Sequence, residues 1–271
     1  MTNTHVNYTA YEGVENLSRF TDQTLIDYFK DKLSSCSKHI SFIKNIFPNK
    51  KLNILEVGSG SGKLLFRLEQ EKMLKHGIGF ELSTSRCSFS SKFSNYLKSR
   101  LVDIYNEDFL NNKLTEKFDI IIGIDVVINL IAAIDENYLD KFFIVALENL
   151  NKDGKIILES ITLKREINSI KKSEKGIFYT WKRFQDSDPF KYGLDEMSFD
   201  SKKNIIWKKY FISRINEREE MFVNALKPIS KKDMILVAEK HFLQVEFYDF
   251  WQVNDDTSDQ EFIAIFSKNN Y

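Results

Sequence analysis

Residues 53–62 read Asn-Ile-Leu-Glu-Val-Gly-Ser-Gly-Ser-Gly, a short apolar strand that runs straight into three alternating glycines. Without a Cβ, Gly58, Gly60 and Gly62 can take positive φ and let main-chain N–H groups approach a ligand closely, and Lys63-Leu64-Leu65 opens a helix behind them. Such a strand end delivers backbone to a cofactor. Glu56 narrows the choice. A dinucleotide loop reads G-x-G-x-x-G with pyrophosphate at the helix N-terminus, whereas position 63 is Lys and a carboxylate at 56 would repel the phosphates. The pattern suits a ligand with a positive or hydroxyl-rich end and disfavours an NAD-dependent oxidoreductase.

Further along, Gly77-Ile78-Gly79-Phe80-Glu81-Leu82 is a second apolar run, ending in an acid nineteen positions after Gly62. One helix and a return loop fill that interval. In a doubly wound sheet this sets Glu81 at the C-terminal edge of the neighbouring strand, where a carboxylate can accept hydrogen bonds from both hydroxyls of a ribose. Residues 101–105 read as a third strand leading into the acidic, aromatic loop Asn106-Glu107-Asp108-Phe109-Leu110. Residues 118–124 form a continuous apolar run, as a strand buried on both faces requires, and it breaks at Asp125. An amphipathic helix over 135–150, with Leu139, Phe142, Phe143, Ala146 and Leu150 facing the core, leads through Gly154 to a fifth strand at 155–159. Ser230 and Asp233 have capping-box spacing at the start of a helix over 230–242, and residues 243–251 and 261–267 read as two antiparallel edge strands.

The acid-x-Gly-x-Gly-x-Gly of Glu56 to Gly62 resembles motif I of the class I S-adenosylmethionine (SAM)-dependent methyltransferases. The resemblance implies an α/β, Rossmann-like, seven-stranded and mostly parallel sheet with an antiparallel last strand, helices on both faces, and SAM as cofactor. It implies that Glu56, Gly58, Ser59, Gly60 and Gly62 form the first edge of the cofactor site. Glu81, with Leu82 beside it, becomes the ribose acid. Asp108 contacts the adenine amino group with Phe109 against the base, and Glu107 competes for that role. The segment 124–129, including Asp125 and Val126, lines the sulfonium and the acceptor. That segment lacks the Asn/Asp-Pro-Pro-Tyr/Phe of many nucleobase N-methyltransferases, which argues against that type.

The stretch 161–226 exceeds a plain crossover and is the expected acceptor-binding insertion within a methyltransferase domain over 51–271. Tyr179, Trp181, Arg183, Trp207 and Tyr210 are its candidate substrate-binding residues, and strands are expected at 204–212 and 219–226. Residues 1–50 are the expected helical lid, with Tyr8, Tyr11 and Phe20 as candidates to close over the sulfonium. His5, Asp125 and Glu159 are candidate bases for a hydroxyl acceptor, whereas an amine needs only to be bound neutral. His39, His76 and His241 are expected to face away.

Composition sets the remaining limits. The 271 residues, 42% apolar, suffice for one large domain with a substantial core. No apolar run approaches the roughly 18 residues of a membrane helix, the first residues do not read as a signal peptide, and a cytoplasmic location is the default expectation. Cys36 and Cys87 and the four histidines show no ligand spacing, so no metal is expected. Net charge is zero, which makes nucleic acid an unlikely partner, although residues 200–232 carry nine Lys or Arg against four acids and can attract a small anionic acceptor. The expected activity is methyl transfer to a small molecule: a sugar, an amine or a phosphorylated metabolite. A protein or RNA methyltransferase, or a non-catalytic SAM-binding protein, stands as the alternative.

Overall fold

The computed structural model describes residues 12–135, 137–215, 217, 219–249 and 261–269; His5, Tyr8, Tyr11 and Trp251 lie outside them. Two helices, α1 (Asp22–Ser34) and α2 (Ser37–Ile46), precede β1 (Leu52–Val57). Alternation follows with α3 (Lys63–Gln70), β2 (Leu74–Phe80), α4 (Thr84–Leu97), β3 (Val102–Tyr105), β4 (Phe118–Gly123), α5 (Val127–Ile134), α6 (Tyr138–Asn149) and β5 (Leu150–Ile161). The inserted part holds α7 (Lys164–Lys172), β6 (Ile177–Arg183), β7 (Phe190–Phe199), β8 (Ile205–Ser213) and β9 (Glu219–Leu226). The chain closes with α8 (Lys231–Lys240), β10 (Leu243–Asp249) and β11 (Glu261–Lys268).

Seven strands form one sheet in the order β10-β11-β5-β4-β1-β2-β3. β1, β2, β3, β4 and β5 pair in parallel, and β11 runs antiparallel to both β5 and β10. This is the expected sheet, reversed last strand included. Its central strands are apolar throughout because each successive side chain enters a different core. In β1, Leu55 and Val57 pack with Phe142, Phe143 and Met234 on the side of α6 and α8, while Leu52 and Ile54 pack with Ile40, Phe42, Leu64 and Leu65 on the side of α2 and α3. Ile120, Ile121 and Ile122 are fully buried, and each contributes roughly 1.5–3 kcal/mol by leaving water.

The expected helix over 135–150 begins three residues later, at Tyr138, and β5 starts at Leu150, earlier than position 155. Ser230 and Asp233 make the expected reciprocal cap on α8. Phe20, a candidate lid residue, packs at 5.1 Å from Tyr28 and 5.5 Å from Phe89, within an aromatic cluster that glues α1 to α3 and α4. Its half-buried ring packs against that cluster. The segment before α1 is nevertheless tied to the mouth of the sheet. Glu12 accepts from the N–H groups of Thr84 and Ser85, and Arg19 grips Glu220 of β9 with both guanidinium nitrogens.

The insertion is a four-stranded antiparallel sheet, β6-β7-β8-β9, of which only β8 and β9 are expected from the sequence. Its register sorts the side chains by face. Met197, Ile205, Phe211, Phe222 and Leu226 point inward against α5, α7 and the N-terminal segment. Tyr179, Trp181, Tyr192, Leu194, Tyr210, Ile212 and Met221 occupy the other face.

One side chain fastens this unit to the main sheet at both ends. Asn129, fully buried on α5, donates from Nδ2 to the carbonyls of Ile161 and Lys227 at 2.8 Å each, and its Oδ1 accepts from Ile161 N–H at 3.2 Å. It does not face the acceptor, as segment 124–129 would by resemblance; it is a staple. Asn129→Leu removes three part-buried hydrogen bonds to Ile161 and Lys227, at about 0.5–1.5 kcal/mol each, and should therefore lower stability in urea unfolding by about 2 kcal/mol or more. A loss below 1 kcal/mol would show that the insertion is held elsewhere.

Candidate active site

The C-terminal ends of β1, β2 and β4 open into a cavity of about 440 Å³. Its lower wall is the glycine loop. Gly58, Gly60 and Gly62 all have positive φ, and a Cβ at Gly58 would lie 2.6 Å from Val127 Cγ2, so α5 can start against the loop only because position 58 is glycine. Glu81 closes the next corner. Its Oε2 accepts from Gly60 N–H and its Oε1 from Ser83 N–H, both at 2.8 Å, so the acid expected to hold ribose also sets the loop. Asp108 takes Leu110 N–H and Asn111 Nδ2 at 2.9 Å each, capping a short 3-10 turn in which Phe109 packs on Phe80 and Phe142.

Asp125 forms the third corner, in a left-handed conformation at φ 58° that Asp tolerates better than most residues. Glu159 Oε2 accepts the Asp125 N–H at 3.1 Å, so this candidate base, 3% exposed, works as a backbone anchor. The Asp125 carboxylate faces the open space, 68% exposed, with Lys63 Nζ at 3.8 Å. Burial of its surroundings pushes its pKa up, but Lys63, Lys32, His39 and Arg86 together outweigh that and hold it below the ordinary carboxylate value.

Glu56 lies behind the loop, 1% exposed, and its Oε2 has no hydrogen-bond partner among the described residues. Burial raises its pKa to about 8, Asp125 and Glu81 add to the shift, and Lys63 opposes it. A neutral, unsatisfied carboxyl beneath a glycine cradle fits a ligand that brings its own cation.

Of the expected cofactor residues, Gly58, Glu81, Leu82, Asp108, Phe109, Asp125 and Val126 line the cavity; Glu56, Ser59, Gly60 and Gly62 stand behind its wall. Tyr11 and His5 fall outside the described residues. His39, His76 and His241 are absent from the lining, as expected. Among the substrate candidates only Trp207 reaches the cavity; Tyr179, Trp181, Arg183 and Tyr210 sit on the outer face of the insertion sheet. The separation between 207 and 210 is odd, so one strand cannot turn both toward one pocket.

The structure adds Lys209, whose Nζ lies 4.1 Å from the Trp207 ring centroid, and Arg86, which meets the buried Glu15 at 3.3 Å. Val127, Leu130, Ile131 and Ile134 of α5 add an apolar stripe. Their i, i+3, i+4, i+7 spacing was the available sequence signal for that stripe, and the two-residue step from Trp207 was the signal for Lys209. The other cations of 200–232 disperse: Lys208 pairs with Glu196 at 2.7 Å, and Lys202 and Lys203 sit exposed on the β7–β8 turn.

Glu56 makes the folded protein bind a proton that the unfolded chain releases near pH 4.5. Its contribution to stability is present at pH 4.5 and below and is lost as pH rises toward 8. Without cofactor, Glu56→Gln should therefore raise the melting temperature relative to wild type increasingly from pH 5 to pH 8. A difference that stays flat across this range would place the carboxyl's pKa near its ordinary value.

Residues 48–211 match the family described as "Methyltransferase domain". No curated protein matches the chain in sequence. Solved structures share the fold at low identity. The CcbJ methyltransferase from Streptomyces caelestis superposes with a TM-score of 0.70 at 13% identity, covering 86% of this chain and 89% of its own. An S-adenosylmethionine-dependent methyltransferase from Clostridium acetobutylicum gives 0.67 at 15%, covering 93% of each chain. CalS10, an amino pentose methyltransferase from Micromonospora echinaspora involved in calicheamicin biosynthesis, gives 0.60 at 13%, covering 88% of this chain and 91% of its own. With the family matched over more than half its length and the glycine loop, Glu81 and Asp108 set around one cavity, this chain belongs to the class I SAM-dependent methyltransferases.

Proposed function

We propose that the chain is a cytoplasmic enzyme that methylates the nitrogen of a small polar amine, of amino-sugar type, held between Asp125 and the inner face of the insertion at 161–226. The observation that carries this reading is the composition of the cavity beyond the cofactor corner: Trp207, Lys209, Tyr138 and the α5 stripe enclose a space suited to a small ligand. Lys209 supplies a cation for hydroxyl or anionic oxygens at the far end of the acceptor. The structural relative that acts on an amino pentose supports the same substrate class.

When bound, SAM supplies a methyl group on a sulfonium that a nucleophile can attack. In this reading Glu56 favours the positive end of the cofactor's amino-acid part from behind the glycine loop, Glu81 receives its ribose hydroxyls and Asp108 its adenine amine. No histidine lines the cavity among the described residues, and Asp125, held below the usual carboxylate pKa, is a weak base. Such a site suits an amine bound neutral, whose lone pair needs no deprotonation, better than a sugar hydroxyl. Asp125 can orient the amine by accepting one of its N–H bonds. Holding donor and acceptor in line is then the main source of rate, since effective molarities of well-oriented groups reach on the order of 10⁵ M. A protein or RNA acceptor suits a broad, basic cleft, whereas Lys209 and Arg86 are the two cations among the described residues lining this cavity.

Glu81→Ala should weaken SAM binding by roughly a hundredfold in calorimetry, because it frees two amides and removes the ribose acceptor. Trp207→Ala and Lys209→Met should raise the acceptor KM about tenfold while leaving SAM affinity within about twofold. Methyl transfer should be seen with amino sugars and not with the matching hydroxyl sugars. Turnover of hydroxyl sugars alone, or of a protein substrate, would overturn the proposal.

A further inference from the structure

The outer face of the insertion sheet carries three cross-strand rows. One reads Trp181, Leu194, Tyr210, Met221; the rows on either side read Arg183, Tyr192, Ile212, Glu219 and Tyr179, Glu196, Lys208, Val223. Trp181 is 72% exposed, Met221 56%, Tyr179 51%, Leu194 40% and Ile212 39%. Monomeric proteins rarely show contiguous apolar surface beyond a few hundred Å². Four strands about 4.8 Å apart and three rows about 7 Å apart span roughly 400 Å² in projection, about half of the roughly 800 Å² per partner of a standard interface, with eight uncharged and four charged side chains on it.

We propose that this face is the contact between two copies of the chain. The charges on it select the arrangement. A two-fold axis parallel to the strands and passing between β7 and β8 lays β6 over the second copy's β9 and β7 over its β8, with each row meeting itself reversed. Trp181 then meets Met221, Leu194 meets Tyr210, and Tyr179 meets Val223. Each charge of the three rows meets its opposite: Arg183 faces Glu219, and the Glu196–Lys208 pair, already joined at 2.7 Å within one chain, faces its own inverse. A two-fold axis across the strands would instead set Arg183 on Tyr179 and Glu196 on Tyr192, leaving those charges without partners. The cavity lies under the opposite face, where Trp207 and Lys209 point, so this association leaves the active site open.

Within one chain Arg183 and Glu219 sit on the two edge strands, three strand spacings or about 14 Å apart, so a charge swap between them reports on a second copy. Sedimentation velocity of the whole chain at micromolar concentration should give twice the monomer mass. Trp181→Glu combined with Met221→Glu should give monomer, Arg183→Glu should weaken association at least about tenfold, and Arg183→Glu with Glu219→Arg should restore it. SAM binding by calorimetry should persist in all of them, since none touches the cavity. A monomeric wild type, a dimer indifferent to Trp181→Glu, or a double swap that recovers nothing would overturn the proposal.

Discussion

At the end of β2 one carboxylate accepts two backbone amides from different elements, Gly60 in the glycine loop and Ser83 at the start of α4. Hydrogen bonds to a charged group are each worth about 1.5–3 kcal/mol, so Glu81 pins the loop to the helix that follows β2. A carboxylate has about four lone-pair sites, and two amides leave two of them. The same acid can therefore shape the loop and receive a pair of hydroxyls. This double use explains why the site can keep its form before a ligand arrives.

Electrostatics impose the second constraint. Glu56, Glu81 and Asp125 converge on one region, where Lys63 lies 3.8 Å from Asp125 and Lys32, His39 and Arg86 add positive charge. The most buried of them, Glu56, keeps its proton up to about pH 8, because burial with Asp125 and Glu81 nearby outweighs Lys63. A cationic ligand group beside Glu56 would favour its charged form, whereas a pyrophosphate would oppose it, so this buried acid suits adenosylmethionine better than a dinucleotide.

Legibility from the sequence tracked how local each signal was. β1, the glycine loop, Glu81, the apolar β4 and the α8 cap were readable because strand burial, tight turns and capping each leave a mark within about ten residues. Asn129 was not. Its partners at Ile161 and Lys227 are 32 and 98 positions away, and nothing in a lone Asn on an apolar helix reveals three buried hydrogen bonds. Glu15 was hidden for the same reason: it is buried between Lys32 and Arg86, which bring its pKa down to about 2 against the pull of burial, and only the fold joins these groups. The insertion is an intermediate case. Its aromatics were visible, but their facing depends on the parity of β6 and β8, and grouping them by density mixed the two sides of one sheet.

β8 alternates Trp207 and Lys209, turned into the cavity, with Lys208 and Tyr210, turned outward, so wall and outer surface are made of the same backbone. The inner face is held by α5 and α7 and by the Arg19–Glu220 grip, while in one chain the outer face bears on solvent. A sheet packed on one side only can flex about that side, and flexing it moves Trp207 and Lys209 relative to Asp125. A second sheet stacked on the outer rows would load both faces and fix the depth of the acceptor cavity. Association and acceptor positioning would then be linked through a single strand, without any residue of the second copy entering the active site.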